Sequence, residues 1–232
     1  MQNYKILFKF ASRSRPEKFF RGLDNIINNL ADKQNYMIAV TLDEDDTTMY
    51  NRDVLLRLKP YIEHDKVFPV FGTSKSKIDA INRDMDKFQD FNILIVFSDD
   101  MEFKVRGFDN IIREKFRIHF PDTNGNLHFN DGFVGNRVST MTIMGKMFFE
   151  SHYNRKIYVD EYFSLFCDEE YTLVANKLNK MQYFPEVIFS HNHPANGFGQ
   201  PDELMKKTEG YWEIDKTTFL RRQAANFYLP QT

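Results

Sequence analysis

The stretch Asn92-Ile93-Leu94-Ile95-Val96-Phe97-Ser98-Asp99-Asp100 decides the architecture. Its apolar residues run without alternation, which suits a strand covered on both faces, as in a parallel sheet. The run therefore reads as the central strand of an α/β domain. Its carboxyl end delivers a serine and two acids to the edge where open α/β sheets bind their ligands.

Toward the N-terminus the same unit recurs. A short strand over Lys5 to Phe10 stops at Ala11-Ser12-Arg13-Ser14-Arg15-Pro16, and Phe19, Phe20, Leu23, Ile26, Ile27 and Leu30 then follow helical spacing. A second strand, Tyr36 to Leu42, ends in Asp43-Glu44-Asp45-Asp46, and the helix expected from Asn51 to Lys59 should stop at Pro60. A third, Lys66 to Phe71, leads into Gly72-Thr73-Ser74-Lys75-Ser76-Lys77 and a helix from Ile78 to Phe88. Three strand–helix units before the central strand predict a doubly wound α/β fold with a mostly parallel sheet flanked by helices. The loop of Arg13 and Arg15, the acids at 43–46, the Gly72 loop and Asp99-Asp100 should then converge on one edge.

Beyond Asp100 the pattern is less regular. The expectations are a Gly- and Asn-rich loop from Asp122 to Gly135, a strand near Ser139 to Met144 and a helix from Lys146 to Tyr153. A helix after Asp168-Glu169-Glu170, a strand from Tyr183 to Phe189 and a loop from His191 to Gly199 follow. Residues 1–200 read as one domain and 201–232 as a tail packed back on it, anchored by Trp212. Charge balance is near neutral, at 31 Lys plus Arg against 33 Asp plus Glu, so no general pull toward nucleic acid or anionic membrane exists. One cysteine, Cys167, excludes an intrachain disulfide, no apolar run reaches membrane-spanning length, and MQNYKILFKF lacks the features of a signal peptide. A cytoplasmic location is expected, bacterial or in a phage-infected host, since the Asn/Lys/Phe/Ile-rich composition fits an AT-rich genome.

In motif order, residues 4 to 195 resemble the GT-A glycosyltransferases, in particular the nucleotide-sugar half of the family-2 enzymes. The resemblance implies the GT-A nucleotide-diphospho-sugar transferase fold, a nucleoside-diphosphate sugar donor (a UDP sugar first) and a Mn2+ or Mg2+ cofactor. It assigns nucleotide contacts to Ala11, Arg13, Arg15, Asp43, Gly72 and Lys77, places Asp99 toward the ribose or sugar, and puts Asp100 at the last position of the D-x-D motif as metal ligand. Ser98 stands where that motif has its first aspartate. A hard carboxylate suits a cation that neutralises a leaving diphosphate. The resemblance further assigns the acceptor base to Asp168, with Glu169 next, and a late histidine on metal or diphosphate to His191 or His193. Taken singly, each feature has a bland counterpart: paired acids after a strand form solvated turns, and acids opening a helix complement its dipole.

Transfer of a sugar to a hydroxyl acceptor, with inversion, is the reading that joins these features, and the acceptor stays open among glycan, lipid-linked sugar, protein and modified DNA. A nucleotidyltransferase is the competing enzyme, but the Gly-rich signature expected near its N-terminus is missing. A non-catalytic carbohydrate- or nucleic-acid-binding module is the third reading. The Gly72 loop lacks the spacing of a phosphate-binding G-x-x-x-x-G-K-[ST] motif, which counts against a kinase or ATPase.

Overall fold

A computed structural model describes residues 4–198, 200 and 202–230. Gly199, at the end of the expected 191–199 loop, and Pro201, the first residue of the expected tail, lie outside the described residues. The elements are β1 (Ile6–Ser12), α1 (Pro16–Asn29), β2 (Tyr36–Asp43), α2 (Arg52–Ile62), β3 (Val67–Gly72), α3 (Lys77–Asn82), β4 (Ile93–Phe97) and β5 (Met101–Phe103). They continue with α4 (Phe108–His119), β6 (Asn126–Phe129), β7 (Ile143–Gly145), α5 (Lys146–Ser151), α6 (Cys167–Lys177), β8 (Met181–Phe184), β9 (Phe189–His191), α7 (Glu203–Glu209) and α8 (Trp212–Ala224).

Seven strands form one sheet in the order β3-β2-β1-β4-β7-β6-β8, so β4 is its middle strand, as its unbroken apolar run implies. The pairs β2–β3, β1–β2, β1–β4 and β6–β8 are parallel, whereas β7 runs antiparallel to both β4 and β6. Two reversals restore direction, so β6 ends on the same edge as β1 to β4. A separate ribbon pairs β5 with β9 and brings Met101 opposite His191. Two apolar clusters cover the sheet: Ile93, Ile95 and Phe97 join Phe8, Phe10, Phe19 and Phe116 on one face, while Leu94 and Val96 join Met144, Tyr171 and Phe219 on the other. Among the described residues no helix is long and apolar enough to cross a membrane.

The structure differs from the sequence reading at several elements. Pro60 lies inside α2 rather than ending it, because it sits in the last turn, and Glu63 N still reaches Lys59 O at 3.1 Å. The helix expected over 78–88 breaks at Arg83-Asp84, where Asp84 is left-handed, and resumes only as a 3-10 turn. The 122–135 stretch contains β6, and the strand expected over 183–189 divides into β8 and β9 in different sheets. Trp212 is 49% exposed, so the C-terminal segment is instead fastened by Phe219, Arg222 and Asp215, all buried.

Gly145 marks a close approach of chain to chain. A Cβ there would lie 2.0 Å from Thr123 O, so the backbone of β7 or of residue 123 would have to move. Gly145→Ala should lose about 1–3 kcal/mol of stability, read as a lower urea midpoint at unchanged slope.

Candidate active site

The carboxyl ends of the strands open into a cavity of about 400 Å³. Ala11, Arg13, Arg15, Asp43, Lys77, Asp99, Asp100, Asp168, His191 and His193 all line it. Gly72 and Glu169 do not. A Cβ on Gly72 would meet Arg83 Nη1 at 2.9 Å, so this glycine makes room for the guanidinium that reaches Asp43. Glu169 is half-buried beside Asp168, and burial together with that neighbouring carboxylate raises its pKa.

On the β2–β3 side, Asp43 ends β2 as a buried carboxylate that accepts from Arg13 Nη1 at 2.9 Å, Ser74 Oγ at 2.6 Å and Arg83 Nη1 at 3.3 Å. Arg13 also forks onto Asp45 at 2.8 and 2.9 Å. Asp46 instead shapes the loop, accepting from Ser14 N and from the amide and hydroxyl of Thr48. Beneath them Lys9 is buried with Nζ 2.6 Å from both Thr41 Oγ1 and Arg83 O, and burial lowers its pKa to about 8.

Beyond β4 the three residues Ser98, Asp99 and Asp100 do different things. Asp99 accepts from Ser12 Oγ at 2.9 Å, and burial pushes its carboxyl up to about 7. Asp100 Oδ1 accepts from Ser98 Oγ, and Asp100 Oδ2 lies 3.5 Å from His191 Nε2. Burial alone would raise Asp100, but His191, Lys77 and Ser98 outweigh it and hold the carboxyl well below the usual range. The serine in the first place of the acidic motif thus orients its last member. The His193 ring lies 5.5 Å from that of His191, and burial followed by the neighbouring imidazole lowers the His193 pKa.

A carboxylate oxygen and an imidazole nitrogen facing each other form a donor pair that fits manganese or magnesium. Among the described residues no group of three His, Cys, Asp or Glu side chains is placed to hold a metal ion, so any cation at Asp100 and His191 would need further oxygens from phosphate or water. Lys75, Lys77 and Lys207 stand exposed around the same cavity, and none makes an ion pair within the described residues.

The roof of the cavity comes from α7 and the residues after it: Leu204, Met205, Lys207, Thr208 and Tyr211. Arg15 holds this segment through two bonds to Asp202, at 2.8 and 2.7 Å, and Asp202 caps α7 by accepting from Met205 N at 3.0 Å. Burial opposes ionisation of Asp202, but Arg15 and the cap prevail and lower its pKa to about 2. The sequence signal for this roof was that capping aspartate ahead of a short run of helix formers. Asp215, Phe219 and Arg222 pack below it rather than over the site: Arg222 bonds Glu170 at 2.9 Å twice, which makes Glu170 structural.

A second cavity of about 490 Å³, between α3 and residues 154–156, carries Arg83, Asp84, Asp86, Arg155 and Lys156 but no histidine. Its charges are largely spent on ion pairs such as Arg83–Asp84 at 2.9 Å and Arg155–Glu150 at 3.2 Å.

No protein-family model matches the chain, and no curated protein matches it. Its fold does match solved structures. The mannosyltransferase PcManGT from Pyrobaculum calidifontis, solved with GDP-Man and Mn2+, superposes with a TM-score of 0.62 over 100% of this chain and 77% of that one, at 12% identity. A TarS fragment from S. aureus, solved with UDP-GlcNAc, gives a TM-score of 0.66 over 90% of this chain and 64% of that one, also at 12% identity. The chain has the GT-A-type fold: a mostly parallel central sheet flanked by helices.

Proposed function

We propose that this chain is a metal-dependent glycosyltransferase that moves a sugar from a nucleoside-diphosphate donor to an acceptor hydroxyl with inversion. One observation carries the reading: Asp100 and His191 meet at 3.5 Å on the wall of a cavity that Lys75, Lys77 and Lys207, none of them in an ion pair among the described residues, also face. A carboxylate–imidazole pair beside exposed lysines suits a diphosphate and its counter-ion.

Asp100 and His191, with His193 adjacent, are the residues that would hold manganese or magnesium, which would supply positive charge opposite the leaving diphosphate. Lys77 and Lys207 bind the phosphates as point charges. Asp43, held by Arg13 and Ser74, accepts hydrogen bonds from the base or ribose. Asp99 meets ribose or sugar hydroxyls. Asp168 lies in the first turn of α6 and lines the cavity, where a base has to stand to reach an acceptor hydroxyl. Asp168 takes the acceptor hydroxyl proton as that oxygen bonds to the anomeric carbon. The bond from the anomeric carbon to the phosphate oxygen breaks, and its electron pair leaves with the nucleoside diphosphate. A UDP sugar is the first donor to test and a GDP sugar the second, following the ligands seen in the fold neighbours.

The test is nucleoside diphosphate release from a panel of UDP and GDP sugars with manganese, with and without added acceptors. Wild type should turn over one donor, and Asp168→Asn should slow transfer about 10²–10⁴-fold while still binding nucleotide. Equal rates in the two proteins, or no turnover of any donor by either, would count against the reading.

A further inference from the structure

Two exposed phenylalanines stand outside the donor cavity on loops that leave the same edge of the fold. Phe133 follows β6, and Phe198 follows β9 and its histidines. Their rings meet edge to face with centroids 5.3 Å apart, yet each side chain remains well exposed, at 45% and 43%. In a chain that buries most of its aromatic residues, this pair keeps its apolar faces at the surface.

The backbone specifies that presentation twice. Gly132 directly precedes Phe133 with φ +88°, and Gly197 directly precedes Phe198 with φ +89°. A Cβ would meet only Val187, at 3.9 Å, at the first and nothing within 4 Å at the second. Glycine is required at these positions by the left-handed turn and not by crowding. Each turn directly precedes a ring that stands out from the surface.

Both loops adjoin the candidate chemistry. The first packs on α6, where Ser139 N donates to Thr172 Oγ1 at 3.0 Å and Thr172 Oγ1 donates to Asp168 O at 2.7 Å. The second begins at His191, and Asn196 Nδ2 donates back to His191 O at 2.9 Å. The ring pair therefore bridges the loop next to the candidate base and the loop carrying the candidate metal ligands.

We propose that Phe133 and Phe198 form a stacking platform for the acceptor and that the acceptor is a saccharide; this rests on the glycosyltransferase reading above. A sugar ring offers a small apolar face rimmed by hydroxyls. The loops supply two rings together with the neutral amide of Asn136. Arg137 is the sole Lys or Arg in residues 130–141 and 192–198, too little positive charge for a nucleic acid backbone. Two rings also offer far less apolar area than a lipid chain buries.

The test uses saturation-transfer NMR with short oligosaccharides of glucose, mannose, galactose and N-acetylglucosamine. Wild type is compared with the double variant Phe133→Ala/Phe198→Ala, and each protein is also heated with manganese and UDP or GDP sugars. Wild type should bind at least one oligosaccharide, and the double variant about tenfold more weakly, with the nucleotide-sugar melting shift unchanged. Phe133→Tyr should retain saccharide binding. Equal binding in both proteins, no binding of any saccharide by wild type, or loss of the nucleotide-sugar shift in the double variant would overturn the platform; the last would make the pair a clamp on the histidine loop. A wild-type preference for a lipid phosphate or a DNA duplex over every sugar would overturn the saccharide assignment. The arms are separable: if nucleotide sugars shift neither protein, the donor reading fails while saccharide binding is judged on its own arm.

Discussion

Asp100→Asn is expected to remove metal-dependent nucleotide binding, lowering affinity in manganese by about 100-fold or more while leaving binding without metal nearly unchanged. The side chain keeps its size and one acceptor oxygen, so the bond from Ser98 Oγ can persist and the fold should survive. The variant loses the negative charge that His191 and Lys77 stabilise in the native site. Outer ligands that merely orient a metal shell typically account for 10–100-fold in affinity, and a direct ligand should account for at least the upper end of that range. Calorimetric titration of UDP and GDP, with and without manganese, on both proteins measures the difference. An equal manganese effect in the two would remove Asp100 from the metal site.

Asp215→Ala should be strongly destabilising, by about 3 kcal/mol or more from three lost hydrogen bonds at about 1 kcal/mol or more each. The Asp215 side chain is inaccessible to solvent and accepts from three successive backbone amides, Phe163 N at 2.9 Å, Ser164 N at 2.9 Å and Leu165 N at 2.7 Å. Alanine would leave all three donors without their carboxylate partner, and each bond left unmade costs on the order of 1–3 kcal/mol where water does not replace it. A fall in melting temperature on the order of 10 °C is the corresponding thermal result. Ser164 and Leu165 line the cavity, so nucleotide binding should weaken as well. Asp215→Asn keeps one acceptor oxygen and should recover part of the loss. A loss below about 1 kcal/mol for the alanine variant would show that water or local rearrangement satisfies those amides.

The first half of the fold was legible because each element there obeys a single strong rule. The middle strand is wholly apolar, α1 carries its rings at helical spacing after Pro16, and each parallel strand ends where polar residues begin. Convergence of Arg13, Asp43, Lys77 and Asp100 on one cavity follows from that regularity, since parallel strands share a carboxyl edge.

The second half mixes its signals. In β6 the buried positions include Asn126 and His128, so four residues of Asn-Leu-His-Phe read as part of a polar loop. The α4 helix does carry an apolar stripe, Phe108, Ile112 and Phe116 at helical spacing beside the buried Asp109–Arg113 pair, so this element was open to a sequence reading that began its second half only at Asp122. In Asp168-Glu169-Glu170 all three acids suit a helix start, and only the resemblance ranked Asp168 ahead of Glu169. In the structure Glu170 turns inward to Arg222 and Tyr162, whereas Asp168 lines the cavity. The roof was hidden for another reason, because Arg15 and Asp202 are 187 residues apart and no local pattern couples them.

Crystals grown with manganese and UDP or GDP test the central claim most directly, through the anomalous signal of the metal. The account predicts a manganese peak within coordination distance of Asp100 and His191, with the diphosphate reaching toward Lys77 and Lys207. A folded protein with nucleotide bound elsewhere, or with no metal peak beside Asp100, would contradict it.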